Sequence, residues 1–195
     1  MAQAGRLGDT GFMTYARSQI APPGEYGCFH VMTRCVRRAF LCGSDQLTGK
    51  NFDHRRQWIE DRIRFLAESF AVSIYSYAVM SNHTHIVLSV DPEAVSEWND
   101  DEVADRWLRV FPGAMAQASS EEQEQRARMS LLSTPDRLKE IRGRLGSLSW
   151  FMRALNEPIA RMANQEDNCT GRFWEGRFKC QALLEPQAVV SAMAA

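Results

Sequence analysis

Three stretches of the chain are predicted to be strands, and in the first of them apolar and polar side chains alternate, a pattern typical of a strand that buries one face. In the first stretch Phe29, Val31 and Thr33 alternate with a second, more polar set of side chains. Two later runs rich in β-branched and aromatic residues, 72–80 and 83–90, are separated only by a Ser-Asn dipeptide. We therefore predict one strand near the beginning and, later, a pair of adjacent antiparallel strands.

Other segments place apolar residues three and four positions apart, which is helical spacing. A Ser-Thr-Pro-Asp cap signal opens one of them, and Gly146 ends it. Pro158 lies inside another, and because proline has no amide proton we expect it to kink that helix or to mark its first turn. The predicted helices are 52–70, about 103–110, 133–145, 149–165 and a C-terminal stretch after Pro186.

The order of these elements predicts an α+β domain whose antiparallel sheet is backed by helices. Residues 171–179 are expected to add a strand or hairpin arm. Residues 1–24 are small and polar with little periodicity, so we expect a flexible arm followed by a single domain over 25–195. Residues 91–126 interrupt that domain as an acidic insertion, expected to be solvated apart from one short helix.

Composition excludes several classes of protein. Hydrophobic residues make up 45% of the 195 residues, which supports a globular domain. No segment approaches the roughly 18 apolar residues of a membrane helix, and the first ten residues lack the apolar core of a signal peptide. We therefore expect a soluble, cytoplasmic protein without a membrane partner. The five cysteines form no CxxC pair, which excludes a zinc ribbon and favours reduced thiols.

The formal net charge of -1 conceals an uneven distribution of charge. Residues 91–126 contain ten acidic residues and three arginines, which leaves 20 basic and 14 acidic residues in the rest of the chain. The local field decides whether phosphate is attracted. An excess of six positive charges outside the acidic segment is therefore compatible with a surface that binds nucleic acid.

The clearest chemical signal is a pair of histidines, His83 and His85, on the third predicted strand. Residues two apart on a strand project from the same face, so both imidazoles can converge on one metal ion. Two half-exposed strand histidines without a ligand are the alternative interpretation. Imidazole suits zinc, manganese, nickel or copper, and a hard ion would also need an oxygen ligand and waters.

The sequence around this pair, YAVMSNHTHIVL at residues 77–88, closely resembles the metal-binding strand of HUH transposases, especially the REP-associated tyrosine transposases. Three further stretches resemble the same family in the same order, so the resemblance extends from residue 26 to about residue 185. These stretches are HVMTR at 30–34, SWFMR at 149–153 leading to Ala163 and Asn164, and GRFWEGRFK at 171–179.

The resemblance implies a ferredoxin-like antiparallel sheet backed by helices and a divalent cation, Mg²⁺ or Mn²⁺, held by His83 and His85. It also implies a helix tyrosine that attacks a single-stranded phosphodiester while the metal polarises the phosphoryl oxygens. Members of the family recognise hairpins formed by palindromic repeats. The implied partner is therefore single-stranded or hairpin DNA, bound by a monomer or a homodimer.

The chain departs from the family at the nucleophile. Alignment with tyrosine-bearing relatives places Ile159 where their tyrosine stands, and isoleucine cannot attack phosphorus. Three explanations are open: a metal-activated water cuts the DNA, Tyr75 or Tyr77 substitutes, or the chain binds DNA without cutting it. Both tyrosines also fit a packing role. Thr84 is a second departure, because the family has a bulky apolar residue there, and we expect it to make a weaker inward contact.

A third metal ligand is expected from the helix at 149–165, where we favour Asn164; an ordinary surface amide is the alternative. Cations alternate with aromatic rings over 171–179, which suits bases stacked on rings and guanidinium groups on phosphates. Buried rings with solvated cations are the alternative there. His30 is interpreted as a packed strand residue. The predicted DNA-binding residues are Arg34, Arg37, Arg38, Arg172, Phe173, Trp174, Arg177 and Lys179.

Together these signals lead to one main hypothesis, a transposase-like protein that binds single-stranded DNA and performs metal-dependent phosphodiester cleavage or strand transfer at hairpin or repeat DNA. Such an HUH-type endonuclease would be impaired if Ile159 has replaced the nucleophile. The alternative is a domesticated protein that binds hairpin DNA without cleaving it. An RNA-handling protein is a third class, because stacking platforms tolerate ribose and deoxyribose alike.

Overall fold

The strands of the protein form one antiparallel sheet, in a computed structural model that describes residues 20–22, 24–36, 40–113 and 120–194. The strands are β1 Gly27–Arg34, β2 Val72–Val79, β3 His83–Val90 and β4 Lys179–Ala182, and their order in the sheet is β2-β3-β1-β4. The helices are α1 His54–Ala67, α2 Ala94–Glu97, α3 Asp100–Val110, α4 Glu121–Leu132, α5 Pro135–Leu145, α6 Leu148–Glu166 and α7 Pro186–Ala194. The predicted α+β class with a ferredoxin-like antiparallel sheet is confirmed. Almost all of the predicted N-terminal arm lies outside the described residues.

The sheet has an inner face that builds the core and an outer face on the opposite side. Phe29 and Val31 of β1 pair with Leu88 and Ile86 of β3, and all four side chains are buried. Directly paired residues project to the same side of a sheet, so these pairs define the inner face. The apolar sides of α1 and α6 join them in one core. The period-two pattern of β1 therefore predicted its buried side correctly.

The outer face is covered in part by α7, which contacts β1, β2 and β3. Ala188, Val189 and Ala192 are the half-buried residues of this helix, whereas Val190 and Met193 are exposed. No helix in the described part of the chain is long and apolar enough to cross a membrane.

Pro158 lies in the interior of α6, which runs without interruption through it. A proline cannot donate a hydrogen bond to the carbonyl four residues earlier, so the oxygen of Ala154 lacks its usual helical donor. Arg62 of α1 supplies a donor instead, with its Nε 3.1 Å from that oxygen. Pro158 thus does not mark a first turn, and a side chain from the neighbouring helix replaces the missing amide.

A fully buried guanidinium, that of Arg55, ties α1 to the end of α6. Its Nε donates to Glu166 at 2.8 Å, its Nη1 donates to the carbonyl of Phe40 at 2.8 Å, and its Nη2 pairs with Asp167. A buried charge is tolerated only when it is paired and hydrogen-bonded, and this one is bonded on three sides. The end of α6 is therefore fixed against α1.

The acidic segment contains more helix than the sequence predicted. In addition to α3 it contains the short helix α2 and the first half of α4, in stretches that we expected to be solvated. Three acidic residues in the first turn of α4 and a run of good helix formers account for the helix. None of the α4 residues is buried, so this helix lies at the surface.

Candidate functional site

His83 and His85 project from the outer face at the start of β3, because the intervening Thr84 is buried on the inner face. The centroids of the two imidazole rings are 4.9 Å apart. Pairing with β1 places Arg34 directly opposite His83. The structure therefore brings the two predicted metal ligands, hereafter the histidine pair, together beside a cation.

The surroundings of the histidine pair favour the neutral form of the imidazole rings. Burial lowers the pKa of both His83 and His85, and for His83 the neighbouring ring and the guanidinium of Arg34 lower the pKa further. Burial and His85 likewise lower the pKa of His30. Neutral imidazole is the form that binds metal ions, so the pair is in its ligating form near pH 7.

Each member of the histidine pair has its Nδ1 occupied by a neighbour. The Nδ1–H of His83 donates to Oδ1 of Asn82 at 2.6 Å, and Nδ1 of His85 lies 2.8 Å from Nε2 of His30. Among the described residues, neither Nε2 of the pair has a hydrogen-bond partner. Metal-ligating histidines present one nitrogen while the other is hydrogen-bonded. The donor set thus fits a divalent ion that keeps water or phosphate oxygens in its remaining positions.

The structure does not connect the predicted third ligand, Asn164, to the histidine pair. Its Nδ2 donates to the carbonyl of Gly171 at 2.9 Å, and its Oδ1 accepts a 3.5 Å contact from the thiol of Cys169. Within the described ranges, no group of three His, Cys, Asp or Glu side chains is arranged to hold a metal ion. A ligand role for Asn164 stays a prediction.

Neither candidate tyrosine lies next to the histidine pair. Tyr77 pairs with Ile86 on the inner face, so it projects to the other side of the sheet from His85. Tyr75 lies at a bulge of β2, and its hydroxyl donates to Oγ of Ser89 at 3.0 Å. Ser89 is four residues beyond His85, which corresponds to about 13 Å along the strand. The structure brings neither of these phenols to the predicted metal.

Ile159 is a core residue of α6, with 2% of its surface exposed. One turn earlier on the same helix, Nδ2 of Asn156 donates to Thr33, which is buried on the inner face. This side of α6 therefore faces the inner side of the sheet, whereas the histidine pair projects from the outer side. A tyrosine in place of Ile159 would lie in the core and not beside the pair.

Residues 171–178 form an irregular loop, and the predicted strand or hairpin arm is wrong over this range because β4 begins only after it. The loop is fixed to the end of β1 by two backbone hydrogen bonds of 2.8 Å, from Val36 N–H to the carbonyl of Phe173 and from Glu175 N–H to the carbonyl of Arg34. The cation-aromatic segment is therefore held beside Arg34, the strand partner of one member of the histidine pair.

The predicted DNA-binding residues of this region divide by burial. Arg34, Arg172 and Arg177 are exposed, and Trp174 is half-buried with its Nε1 donating to the carbonyl of Asn156 at 2.8 Å. Phe173 is 3% exposed and packs in the core, which agrees with the alternative interpretation of buried rings with solvated cations.

Two further predictions concern the outer face and the chain beyond β1. Lys179 is exposed and pairs with Met32, which is also the strand partner of His85, so the three residues form one row across the outer face. Arg37 and Arg38 lie outside the described residues, and their predicted role is therefore untested.

A cavity of about 650 Å³ lies between α6 and the loop. One of its lining residues is Arg161, which the sequence did not lead us to predict as a site residue. Nη1 of Arg161 lies 3.8 Å from a carboxylate oxygen of Glu157. Helical spacing was the available signal, because Arg161 and Glu157 lie three and seven positions before Asn164 and so share one side of α6. The cavity is lined by Glu157, Ala160, Arg161, Asn164, Gly171, Arg172, Phe173, Trp174, Gly176 and Arg177.

No protein family model matches the chain, and no curated protein matches it. Among solved structures, the chain is similar to a REP-associated tyrosine transposase bound to a REP hairpin, with 10% sequence identity and a TM-score of 0.45. The similarity covers 86% of this chain and 62% of the transposase chain. The chain thus spans less than two thirds of that protein, and the likeness is a distant one of fold.

Proposed function

We propose that this protein binds single-stranded or hairpin DNA at the edge of the outer face where the histidine pair, Arg34 and the loop 171–178 meet. The observation that carries the proposal is the backbone pairing of this loop with the end of β1. Through it, the guanidinium groups of Arg172 and Arg177 belong to a loop anchored beside Arg34. Exposed arginines bind phosphate oxygens through their guanidinium groups. Trp174 adds an aromatic ring to the wall of the same cavity.

The charge distribution supports a phosphate ligand at this edge. Arg34 and Arg177 are exposed and form no ion pair with another described residue. In contrast, acidic residues of α3 are paired with an arginine of the neighbouring helix α4, since Arg128 lies 2.7 Å from both Asp101 and Asp105. The cations of the proposed surface are therefore available to phosphates, while part of the acidic charge is neutralised locally.

We further propose that the histidine pair holds a divalent cation, Mn²⁺ or Mg²⁺, through the two Nε2 atoms. Imidazole donors favour manganese of these two. When bound, such an ion would polarise the phosphoryl oxygens of a phosphodiester. Arg34, opposite His83, would contact the adjoining phosphate and fix the register of the DNA strand.

The placement of the tyrosines favours a second candidate function, DNA binding without cleavage. Tyr75 and Tyr77 lie away from the histidine pair, and Ile159 is buried on the other side of the sheet. In that case the affinity for DNA would depend on the arginines of the edge and would be nearly independent of the histidines.

The test combines native and denaturing gels of end-labelled single-stranded and hairpin DNA incubated with the protein and Mn²⁺ or Mg²⁺. We expect a retarded band whose affinity falls in an Arg34→Ala/Arg177→Ala double variant, with a salt slope reduced by about one per lost phosphate contact. Arg126→Ala, on the exposed helix α4, is the matched control and should bind as wild type. Unchanged affinity in the double variant would contradict the proposed surface.

The denaturing gel separates the two candidate functions. Metal-dependent nicking that disappears in His83→Ala/His85→Ala would establish cleavage at the histidine pair. Retardation without nicking in either metal would establish the non-cleaving protein. An RNA hairpin of matched sequence that competes better than the DNA would instead favour an RNA-handling protein.

A further inference from the structure

His30 of β1 contacts the histidine pair although it belongs to another strand. Its Nε2 lies 2.8 Å from Nδ1 of His85, and the two rings are stacked with centroids 5.0 Å apart and planes 30° apart. His30 projects from the outer face, where its strand partner is Val87, two residues beyond His85. We propose that His30 is a positioning residue that fixes the orientation and the tautomer of His85, a role that rests on the proposed metal site.

Neutral imidazole is the form of the His85 ring that binds a metal ion. Such a ring has one N–H donor and one acceptor nitrogen, and the hydrogen bond made by one nitrogen decides which of them carries the proton. Either ring could donate across the 2.8 Å contact, and we assign Nδ1–H of His85 as the donor to Nε2 of His30 because only this direction leaves the lone pair of His85 on Nε2 for a metal ion. His30 then carries its own proton on Nδ1.

Asn82 has the same effect on the other member of the pair. Its amide oxygen can only accept, so the 2.6 Å contact fixes the proton of His83 on Nδ1 and leaves the lone pair on Nε2. With His30 acting on His85, the two ligating nitrogens of the pair are equivalent. Both are prepared before any ion binds, which lowers the cost of ordering the rings around it.

The stacked contact also restricts rotation of the His85 ring. Removal of an orienting partner of a ligating histidine typically costs about 10- to 100-fold in metal affinity. Two substitutions separate the effects: His30→Phe keeps an aromatic ring for stacking but has no acceptor, whereas His30→Gln keeps an acceptor atom near the position of Nε2.

The first measurement is the tautomeric state of the metal-free protein by ¹⁵N NMR of the imidazole nitrogens. We expect Nδ1–H on His85 in the wild type and in His30→Gln, and a shift towards Nε2–H in His30→Phe. A wild-type His85 protonated on Nε2 would overturn the inference, as would an unchanged tautomer in His30→Phe. This readout does not depend on metal binding or on cleavage.

The second measurement is calorimetric titration with Mn²⁺, accompanied by circular dichroism to verify that each variant is folded. We expect His30→Phe to bind Mn²⁺ about 10- to 100-fold more weakly than wild type and His30→Gln to recover most of the affinity. Equal affinity in wild type and His30→Phe would overturn the role in positioning. If the wild type binds no Mn²⁺ although His85 carries Nδ1–H, the proposed metal function fails while the tautomer assignment stands.

Discussion

At the scale of single residues, position 159 shows how burial limits chemistry. Ile159 packs in the core with 2% of its surface exposed, and it belongs to the side of α6 that faces the inner sheet. Its volume and its apolar character are what the surrounding core requires. Restoring a tyrosine at this single position would therefore introduce a phenol into the core and would not complete a site at the histidine pair.

The substitution Ile159→Tyr tests this argument. We expect a loss of about 2 kcal/mol in the free energy of unfolding, because a larger ring overpacks the core and its hydroxyl is buried without a designed partner. Urea unfolding measures the loss, and Ile159→Val, which only removes a methylene group, should cost about 1 kcal/mol. No covalent protein–DNA product should form on a denaturing gel. An Ile159→Tyr protein of wild-type stability that forms such a product would contradict the placement of α6.

At the scale of elements, the contact between α1 and α6 depends on a backbone defect and its repair. Pro158 deprives the oxygen of Ala154 of a donor inside α6, and Arg62 of α1 donates to that oxygen. A buried carbonyl without a partner is costly, so this side chain stabilises the helix as well as the contact between the two helices. The proline therefore makes α6 dependent on its neighbour.

A double-mutant cycle measures this dependence. Arg62→Met should lower the free energy of unfolding by about 1.5 kcal/mol, because the oxygen of Ala154 loses its donor. In a Pro158→Ala background the amide of residue 158 can donate to the same oxygen, so Arg62→Met should cost about 1 kcal/mol less. Arg64→Met, at an exposed position of the same helix, is the control and should stay within about 0.5 kcal/mol of wild type in both backgrounds. An equal cost of Arg62→Met in the two backgrounds would show that this hydrogen bond contributes nothing.

At the scale of the whole molecule, the sequence predicted those features that depend on residues close to one another in the chain. The period of two identified the inner side of β1, and the two-residue spacing placed His83 and His85 on one face. The anchoring of the loop 171–178 was not predictable, because its partners, Arg34 and Val36 at the end of β1, lie about 140 residues away in the chain. The contact of His30 with His85 spans 55 residues and depends on the register between two strands, which periodicity does not define.

Charge is the other property that belongs to the whole molecule, and its effect on DNA binding should depend on where the charges lie. Replacing Glu121, Glu122 and Glu124 of α4 by glutamine would change the formal net charge from -1 to +2. No residue of this helix is buried, and it packs against α3 and α5, so we expect its carboxylates to act on DNA only through the long-range field. That field is screened within about 8 Å at physiological salt. We therefore expect less than about a threefold gain in affinity at 0.15 M salt and a larger gain at 0.01 M, where the screening length is about 30 Å.

The slope of affinity against salt, measured by titration at several salt concentrations, should remain that of wild type because no phosphate contact is added. A steeper slope in this triple variant would mean that α4 borders the bound DNA, and the proposed edge would then extend to the acidic segment.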